Sequence, residues 1–267
     1  MTGSPFDGAR CLVTGAGRGI GRALADELLA RGAAGVLLID RDETALAEAA
    51  AALDGRARVF ACDLTEPSAP GSAVDAAIEA FGGLDLVCSN AGVLVEDPDF
   101  ANAASADDAL WALSWDLNVM AHVRLARAAL PAFRAAGGGR FLMTVSAAGL
   151  LTMIGHAPYA ATKAAALAFA QNLAITHADE GVQVAALCPQ AVTTDMLQAT
   201  RRPEAAMASA ALGAQETADA ALDGLAVGRF LILPHPEVAD YARRRAEDMD
   251  RWIGGMRKLR RGLAEGG

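Results

Sequence analysis

The amino-acid sequence predicts an α/β fold in which a doubly wound, mostly parallel sheet carries helices on both faces. Short runs that are apolar throughout alternate with segments of helical periodicity, and such runs are typical of parallel strands buried on both faces. Hydrophobic residues make up 53% of the chain, enough for a sizeable core. The sequence has no evident repeat, low-complexity linker or domain boundary, so residues 1–267 are expected to form a single domain.

The predicted elements alternate along the chain. The first helix follows the first strand and carries Ile20, Leu24 and Leu28 on one face, because these residues recur every four positions. Strands are predicted at the apolar runs 11–14, 36–39, 59–62, 84–89, 140–145, 183–187 and 230–232. Further helices are predicted at 42–53, 72–81, 106–135, 159–177 and 216–226. Helical crossovers of this kind are the usual connections between parallel strands.

The charge of the chain is acidic and unevenly spread. The net charge is −9, which argues against nucleic acid and anionic membranes as partners. Residues 241–261 nevertheless hold eight basic against three acidic side chains, within a helical tail predicted at 237–263. One face of that tail is apolar and is formed by Met249, Trp252, Met256, Leu259 and Leu263. Packing on the protein's own body and contact with a second subunit both remain open for this face.

The cysteines and the N-terminal residues indicate the cellular compartment of the protein. Cys11, Cys62, Cys88 and Cys188 lie in or beside predicted strands, as small buried residues of a reducing compartment do. No metal site is predicted, because the cysteines lack zinc-type spacing. Residues 1–10 lack the pattern of a secretory signal, and Lys163 interrupts the apolar region 159–175, which is too short to span a bilayer. The sequence predicts a cytoplasmic protein that does not bind membranes.

A glycine-rich stretch, TGAGRGIG at residues 14–21, follows the first strand and opens the first helix. Glycines let the backbone approach a pyrophosphate, and the helix N-terminus supplies N–H groups and partial positive charge. Asp40 ends the second strand nineteen residues after Gly21, where a Rossmann-type fold holds the adenosine ribose. A turn or N-cap role for Asp40 is the alternative. The carboxylate favours NAD, whereas Arg18 and Arg41 keep NADP as the less favoured cofactor.

Tyr159 and Lys163 are four residues apart on a predicted helix and therefore share a face. An ammonium beside a phenol favours the phenolate, which can then exchange a proton with a substrate oxygen. A pair at this spacing is by itself more often structural than catalytic.

The wider pattern resembles the short-chain dehydrogenase/reductase family in its compact, single-domain form. The resemblance rests on the glycine stretch, on Asn90-Ala91-Gly92 after the fourth strand, and on Asn118, Ser146 and Tyr159-x-x-x-Lys163. Ser146 precedes Tyr159 by thirteen residues and follows Asn118 by 28, and both spacings fit the family. The match covers residues 10–196 and is weaker beyond them.

The resemblance implies a role for each of these residues. Tyr159 is the expected general acid/base, and Lys163 is expected to lower its pKa and hold the nicotinamide ribose. Ser146 is expected to bind the substrate oxygen, and Asn118 to position a water that links Lys163 to solvent. The expected cofactor contacts are Gly15, Arg18, Gly19, Ile20, Gly21, Asp40, Asp63, Leu64, Asn90, Ala91, Gly92, Tyr159, Lys163, Pro189, Val192 and Thr194.

The resemblance also locates the substrate wall, between Ser146 and Tyr159. This wall is apolar and includes Leu150, Met153 and Ile154, with Val93 and Leu94 nearby, which suggests an uncharged and fairly hydrophobic substrate. The candidate substrate contacts are Ser146, Ile154, His156, Tyr159 and Gln190. Gln190 stands where the family has a glycine beside the cofactor, and it is expected either to adjust the backbone there or to reach toward the substrate.

Two neighbouring features complete this interpretation. Residues 196–214 form either a flap over the pocket or an ordinary surface helix and loop. His122, His177 and His235 are expected to be structural residues without partners.

The sequence therefore predicts an NAD-dependent oxidoreductase that interconverts a small secondary alcohol and a ketone, working as a tetramer or dimer. One alternative is an NADPH-dependent carbonyl reductase of the same fold. The other is a non-catalytic nucleotide-sensing module. The set of Asn118, Ser146, Tyr159 and Lys163 argues against the sensor, which needs no proton relay.

Overall fold

The sheet determines where the loops of this protein meet. The computed structural model describes residues 4–53, 55–200 and 210–265. Within these residues seven strands lie in the order β3-β2-β1-β4-β5-β6-β7, and every neighbouring pair is parallel. The strands are β1 (Arg10–Thr14), β2 (Gly35–Asp40), β3 (Ala57–Ala61), β4 (Leu86–Ser89), β5 (Gly139–Thr144), β6 (Val182–Leu187) and β7 (Leu231–Ile232). The doubly wound sheet expected from the sequence is confirmed, and it is parallel throughout.

Helices cover both faces of this sheet. They are α1 (Gly19–Ala30), α2 (Glu43–Ala51), α3 (Ala69–Phe81), α4 (Asp108–Trp115), α5 (Ala121–Ala135), α6 (Ala148–Leu151), α7 (Ala157–His177), α8 (Asp195–Gln198), α9 (Ala214–Ala226), α10 (Glu237–Glu247) and α11 (Met249–Glu265). The single helix predicted at 106–135 is instead two α-helices joined by a π-helical turn, Asp116–Met120. Such turns are frequent at functional sites, and this one contains Asn118.

The core is divided between the two faces of the sheet. Successive residues of a strand face opposite sides, so Leu12 joins the layer of α3, α5 and α7, whereas Val13 joins the layer of α1 and α9. Leu24 and Leu28 are fully buried in the second layer, as their spacing predicted. Burial of one such leucine stabilises the fold by about 1.5–3 kcal/mol. The two packed layers fix the strand ends from which the site loops emerge.

The strand β3 differs from the expectation of burial on both faces. It lies at the edge of the sheet, where β2 is its one partner among the described residues, and Val59 is 48% exposed. Its apolar sequence does not reveal this position, because strand order is set by crossovers rather than by composition.

The C-terminal tail is helical, as predicted, and consists of α10 and α11. Trp252 packs into a small cluster with Val238 and Leu151. Arg260 donates a hydrogen bond from Nη2 to the carbonyl oxygen of Phe100 at 3.2 Å. Met249 and Leu259 stay 43% and 52% exposed, so the protein's own body covers the apolar face only in part.

Three further expectations concern the flap, the absence of a membrane-spanning helix, and the cysteines. Residues 201–209 of the predicted flap lie outside the described residues, so the flap stays a prediction. No helix in the described part of the chain has the length and apolarity needed to cross a bilayer. All four cysteines are free thiols, and no three His, Cys, Asp or Glu side chains among the described residues group as metal ligands.

Candidate active site at the carboxyl edge of the sheet

The strand order reverses between β1 and β4, and open α/β sheets bind ligands in the crevice formed at such a point. The glycine turn after β1 lines this crevice. Gly15 and Gly19 have φ of +65° and +55°, a left-handed conformation that favours glycine. A Cβ on Gly21 would lie 2.1 Å from the carbonyl oxygen of Gly15. These positions therefore require glycine.

The N-terminus of α1 fits an anion. Within the described residues, Arg18 at the N-cap makes no side-chain cap, and the first turn holds no acidic residue. The first N–H groups of a helix lack intrahelical acceptors and carry partial positive charge. This arrangement fits the pyrophosphate of a dinucleotide. The Arg18 guanidinium is turned aside, since it pairs with Asp42 and lies 3.5 Å from Asp195.

Two carboxylates follow the neighbouring strands. Asp40, at the end of β2, accepts hydrogen bonds from Gly17 N at 3.1 Å and Asp42 N at 3.2 Å. Its carboxylate therefore lies against the glycine turn. Asp63, after β3, accepts from Thr65 N at 2.9 Å and from the Thr65 hydroxyl at 2.8 Å. These bonds hold the pKa of Asp63 below its usual value, so it is ionised at neutral pH. Leu64 beside it is buried.

Thr14, the last residue of β1, ties the two sides of the crevice together. Its hydroxyl oxygen accepts from Asn90 N at 2.9 Å and from Ala91 N at 3.0 Å. The Asn90 amide donates back to the Thr14 carbonyl at 3.0 Å. Thr14 was part of the sequence motif, but its role as the acceptor that positions Asn90 and Ala91 was not foreseen.

Asn118 is fully buried in the π-helical turn and holds the loop after β4. Its Oδ1 accepts from Val93 N and its Nδ2 donates to the Val93 carbonyl, each at 2.9 Å. A Cβ on Gly92 would lie 3.0 Å from Asn118 Oδ1 and 3.3 Å from Lys163 Nζ. Gly92 therefore lets the two side chains approach the same point. The water expected between them stays a prediction.

Ser146, Tyr159 and Lys163 meet where β5 ends and α7 begins. The Ser146 hydroxyl lies near the Tyr159 phenol, where it favours the ionised form of that phenol. Lys163 Nζ lies 5.7 Å from the centre of the Tyr159 ring and donates to the Thr144 carbonyl at 3.0 Å. The three predicted residues are thus brought together.

The pKa values differ from the sequence expectation. Burial raises the pKa of Tyr159 above its usual value, and the nearby Ser146 hydroxyl opposes this shift without reversing it. Burial also lowers the pKa of Lys163 to about 8. Burial thus works against the lowering of the Tyr159 pKa that was expected from Lys163, because desolvation disfavours the charged form of both groups.

A titration tests this environment. The chain has two tyrosines, so phenolate absorbance in a Tyr241→Phe background reports Tyr159 alone. We expect a midpoint above the ordinary 10.0, and a further rise in Ser146→Ala, since that change removes a hydroxyl that favours the phenolate. The Tyr159→Phe/Tyr241→Phe double variant is the blank. A midpoint below 10, or one that Ser146→Ala leaves in place, contradicts the assignment.

The segment after β6 forms the remaining wall. Pro189 and Val192 are buried, and the Thr194 hydroxyl donates to the Val192 carbonyl at 3.2 Å. A Cβ on Gly19 would lie 3.2 Å from Thr194 Cγ2, so this segment packs directly against the glycine turn. Gln190 N donates to His235 Nδ1 at 3.2 Å, which ties the wall to the C-terminal region.

The histidines expected to lack partners all have them. His235 accepts from Gln190 N, His177 Nδ1 lies 3.0 Å from Glu180 Oε2, and His122 Nδ1 lies 2.6 Å from the buried Ser89 Oγ. Burial and the charge of Lys163 lower the pKa of His122 to about 3. The expectation was wrong because two of these partners, Gln190 and Ser89, are more than thirty residues away in sequence.

His156, a candidate substrate contact, is only 2% exposed. Its Nδ1 lies 3.0 Å from the carbonyl oxygen of Ile154, and its Nε2 lies 3.8 Å from Glu96 Oε1. Contacts of Ile154, His156 and Gln190 with substrate stay predictions. The sequence reasoning did not single out Glu96 or its neighbour Asp97, since isolated acids in a loop carry no spacing signal.

Comparisons with known proteins agree with this geometry. A family model described as short chain dehydrogenase matches residues 9–205. The 1-deoxy-11-beta-hydroxypentalenate dehydrogenase of Streptomyces exfoliatus is 34% identical over 253 residues, covering 91% of this chain and 88% of that protein.

Two solved structures are also similar. One is a short chain dehydrogenase/reductase from Burkholderia phymatum in complex with NAD, with a TM-score of 0.83 and 29% identity over 92% of this chain and 95% of that one. The other is a 7 alpha-hydroxysteroid dehydrogenase complexed with NADH and 7-oxo glycochenodeoxycholic acid, with a TM-score of 0.78 and 27% identity over 85% and 92% of the two chains. The chain therefore belongs to the short-chain dehydrogenase/reductase family, which are oxidoreductases that act on CH–OH groups with a nicotinamide cofactor.

Proposed function

We propose that this protein is an NAD-dependent dehydrogenase that interconverts a fairly hydrophobic secondary alcohol and its ketone. One observation carries the proposal: the neighbouring Ser146 and Tyr159 lie at the same carboxyl edge as the glycine turn and Asp40. A proton-exchanging group and a dinucleotide cradle thus share one crevice.

Different residues of the crevice bind different parts of the cofactor. The turn of Gly15, Gly19 and Gly21 accommodates the pyrophosphate, and Asp40 accepts hydrogen bonds from the adenosine ribose. The remaining contacts are those of the predicted set: Arg18, Ile20, Asp63, Leu64, Asn90, Ala91, Gly92, Tyr159, Lys163, Pro189, Val192 and Thr194. The nicotinamide, when bound, accepts or supplies the hydride.

The side chains handle the proton. In oxidation the Tyr159 phenolate oxygen takes the hydroxyl proton of the alcohol; in reduction the phenol returns it to the carbonyl oxygen. Ser146 donates a hydrogen bond to that substrate oxygen and fixes its orientation. Lys163, anchored on the Thr144 carbonyl, favours the phenolate and holds the ribose, while Asn118 orients the water behind it.

The wall of the pocket suggests the substrate. Val93, Leu94, Met153 and Ile154 are partly exposed apolar residues around the crevice, and Leu150 packs between the main core and the C-terminal cluster. Two proteins that this chain resembles are named for a hydroxypentalenate and a hydroxysteroid. The apolar wall favours a fairly hydrophobic substrate, and the two names favour a secondary hydroxyl group set in a carbon skeleton.

A screen tests the function. Cyclohexanol, 2-octanol and a hydroxysteroid are offered with NAD and with NADP, and nicotinamide absorbance is followed. We expect turnover of at least one alcohol with NAD. Faster turnover with NADP favours the NADPH-dependent reductase, and NADH binding without any turnover favours a sensing module.

We also propose that the protein is a homo-oligomer in the cytoplasm, where free buried thiols such as Cys11 and Cys88 persist. Met249, Ile253 and Leu259 of α11 are 43%, 49% and 52% exposed, which makes this face the candidate subunit contact.

Truncation before Met249 is expected to lower both the assembly state and the melting temperature, because it also removes the packing of Trp252. Serine at Met249, Ile253 and Leu259 should lower the assembly state alone. The matched control replaces Arg251, Arg257 and Arg261 by lysine. Light scattering that gives one unchanged oligomer for all variants would exclude α11 as the contact.

A further inference from the structure

The position of Tyr159 depends on the first turn of α7, in which it is the third residue. Helix N-termini leave N–H groups that need acceptors from outside the helix. In the described residues His156, at the N-cap, makes no side-chain cap, and Pro158 has no N–H to donate. The turn that carries the phenol therefore depends on another segment.

That segment is the loop after β4, and Asp97 makes the contact. Asp97 Oδ1 accepts from Ala157 N at 2.9 Å, and Asp97 N donates to the Gly155 carbonyl at 2.7 Å. The two bonds hold the backbone on both sides of His156. Gly155 has φ of +75°, and a Cβ there would lie 2.7 Å from the Phe100 ring. The loop and the start of α7 are thus in close contact.

The negative charge of Asp97 is also favourable at the N-terminus of α7. It is 6% exposed, and a carboxylate at the N-terminus of a 21-residue helix interacts favourably with the helix dipole. Burial raises the pKa of Asp97, while the Ala157 N–H and the nearby His156 oppose that shift. The acceptor oxygen, rather than the charge alone, makes the geometric link to α7.

The other end of the same loop is held by Asn118. Residues 93–97, here called the strap, begin at Val93, whose N–H and carbonyl both bond the Asn118 side chain. They end at Asp97 on α7. The strap therefore joins the π-helical turn to the helix of Tyr159, two elements that Asn118 also links directly through Thr162 Oγ1 at 3.2 Å.

We propose that Asp97 is a positioning residue, which caps α7 from the strap and thereby sets the Tyr159 phenol against Ser146. The inference rests on the proposed function, in which Tyr159 exchanges the proton. A displacement of about 1 Å in a reacting group can lower a rate 10²-fold. The glycine turn, Asp40 and the Lys163 bond to the Thr144 carbonyl do not depend on this cap, so the rate falls and cofactor affinity is kept.

Four variants test the role: Asp97→Ala, Asp97→Glu, Asp97→Asn and the control Asp99→Ala. Asp99 is an exposed acid of the same loop whose carboxylate accepts from Ala101 N at 2.8 Å. With NAD and the alcohol oxidised fastest in the screen, we expect kcat to fall about 10- to 100-fold in the Ala and Glu variants. Asn offers the same acceptor, so kcat should stay within about threefold, as in Asp99→Ala. NADH affinity, measured by fluorescence, should stay unchanged in all four.

A second readout needs no substrate. In the Tyr241→Phe background, Asp97→Ala should raise the Tyr159 titration midpoint in the direction of Ser146→Ala, and Asp97→Asn should not. If Asp97→Ala does not fold, the positioning role is tested by comparing the kcat and the titration midpoint of Asp97→Glu with those of Asp97→Asn.

Parent-like kcat and midpoint in the Ala and Glu variants overturn the inference, as does an Asn variant as slow as Ala. Tyr159→Phe distinguishes a failure of the proposed function from a failure of the positioning role of Asp97. If Tyr159→Phe turns over normally, the proposed function fails. If it is inactive while Asp97→Ala and Asp97→Glu match the parent, only the positioning role fails.

Discussion

Tyr159→Phe is expected to lower turnover about 10²- to 10⁴-fold, the usual effect of losing a positioned acid/base. The variant keeps the ring and its packing but lacks the hydroxyl that lies beside Ser146. Lys163 keeps its bond to the Thr144 carbonyl, so the cofactor side of the crevice is undisturbed. Affinity for NADH should therefore be close to that of the parent.

The measurement is kcat with saturating NAD and alcohol, together with NADH fluorescence. Tyr241→Phe is the matched control, because it removes the other phenol of the chain, on α10. It should have the parent's kcat. A Tyr159→Phe variant with near-normal turnover on any alcohol that the parent accepts would remove the basis of the mechanism.

The features predicted best from the sequence are those that local geometry imposes. The apolar runs gave the strands, because parallel strands between helices are buried on both faces. The spacing of Leu24 and Leu28 gave a buried helix face, and both are fully buried. Gly15 and Gly19 stand where the turn takes positive φ, so the need for glycine was visible in the motif.

Contacts between distant segments were beyond sequence reasoning. Asp97 and Ala157 are 60 residues apart, and Gln190 and His235 are 45 apart. Neither pair has a spacing that a helix or strand period would relate. The π-helical turn around Asn118 was hidden for a different reason: its residues fit an ordinary helical pattern.

The pKa shifts of Tyr159 and Lys163 could not be predicted from the sequence either. A Tyr-x-x-x-Lys pattern places an ammonium near a phenol, but it does not give the burial of either group. In the structure burial dominates for both, raising the pKa of Tyr159 and lowering that of Lys163. The sign of the shift thus depended on packing by residues far along the chain.

Asp40→Ser is expected to weaken the use of NAD and strengthen that of NADP. The carboxylate accepts charge-assisted hydrogen bonds from the ribose diol, which are among the stronger ones, and it repels a 2′-phosphate. The change also frees Gly17 N, which now donates to Asp40 at 3.1 Å, to donate to a phosphate oxygen. Each tenfold change in preference corresponds to about 1.4 kcal/mol.

Arg18 changes the size of this effect. From the sequence Arg18 kept NADP open as a cofactor, whereas the structure pairs it with Asp42 and places it 3.5 Å from Asp195. Asp40→Ser alone should therefore shift preference less than the double variant Asp40→Ser/Asp42→Asn. Asparagine can keep the cap that Asp42 provides to Ala45 N at 3.0 Å, so α2 should be undisturbed.

The ratio of kcat/KM for NAD and NADP is measured in the parent, in both variants and in the control Asp42→Asn. We expect the ratio to favour NAD in the parent, to fall by about tenfold or more in Asp40→Ser, and to fall further in the double variant. Asp42→Asn alone should change it least, because Asp40 still repels the phosphate. A parent that already prefers NADP would mean that Arg18 and Arg41 outweigh the carboxylate, and the assignment of NAD would be wrong.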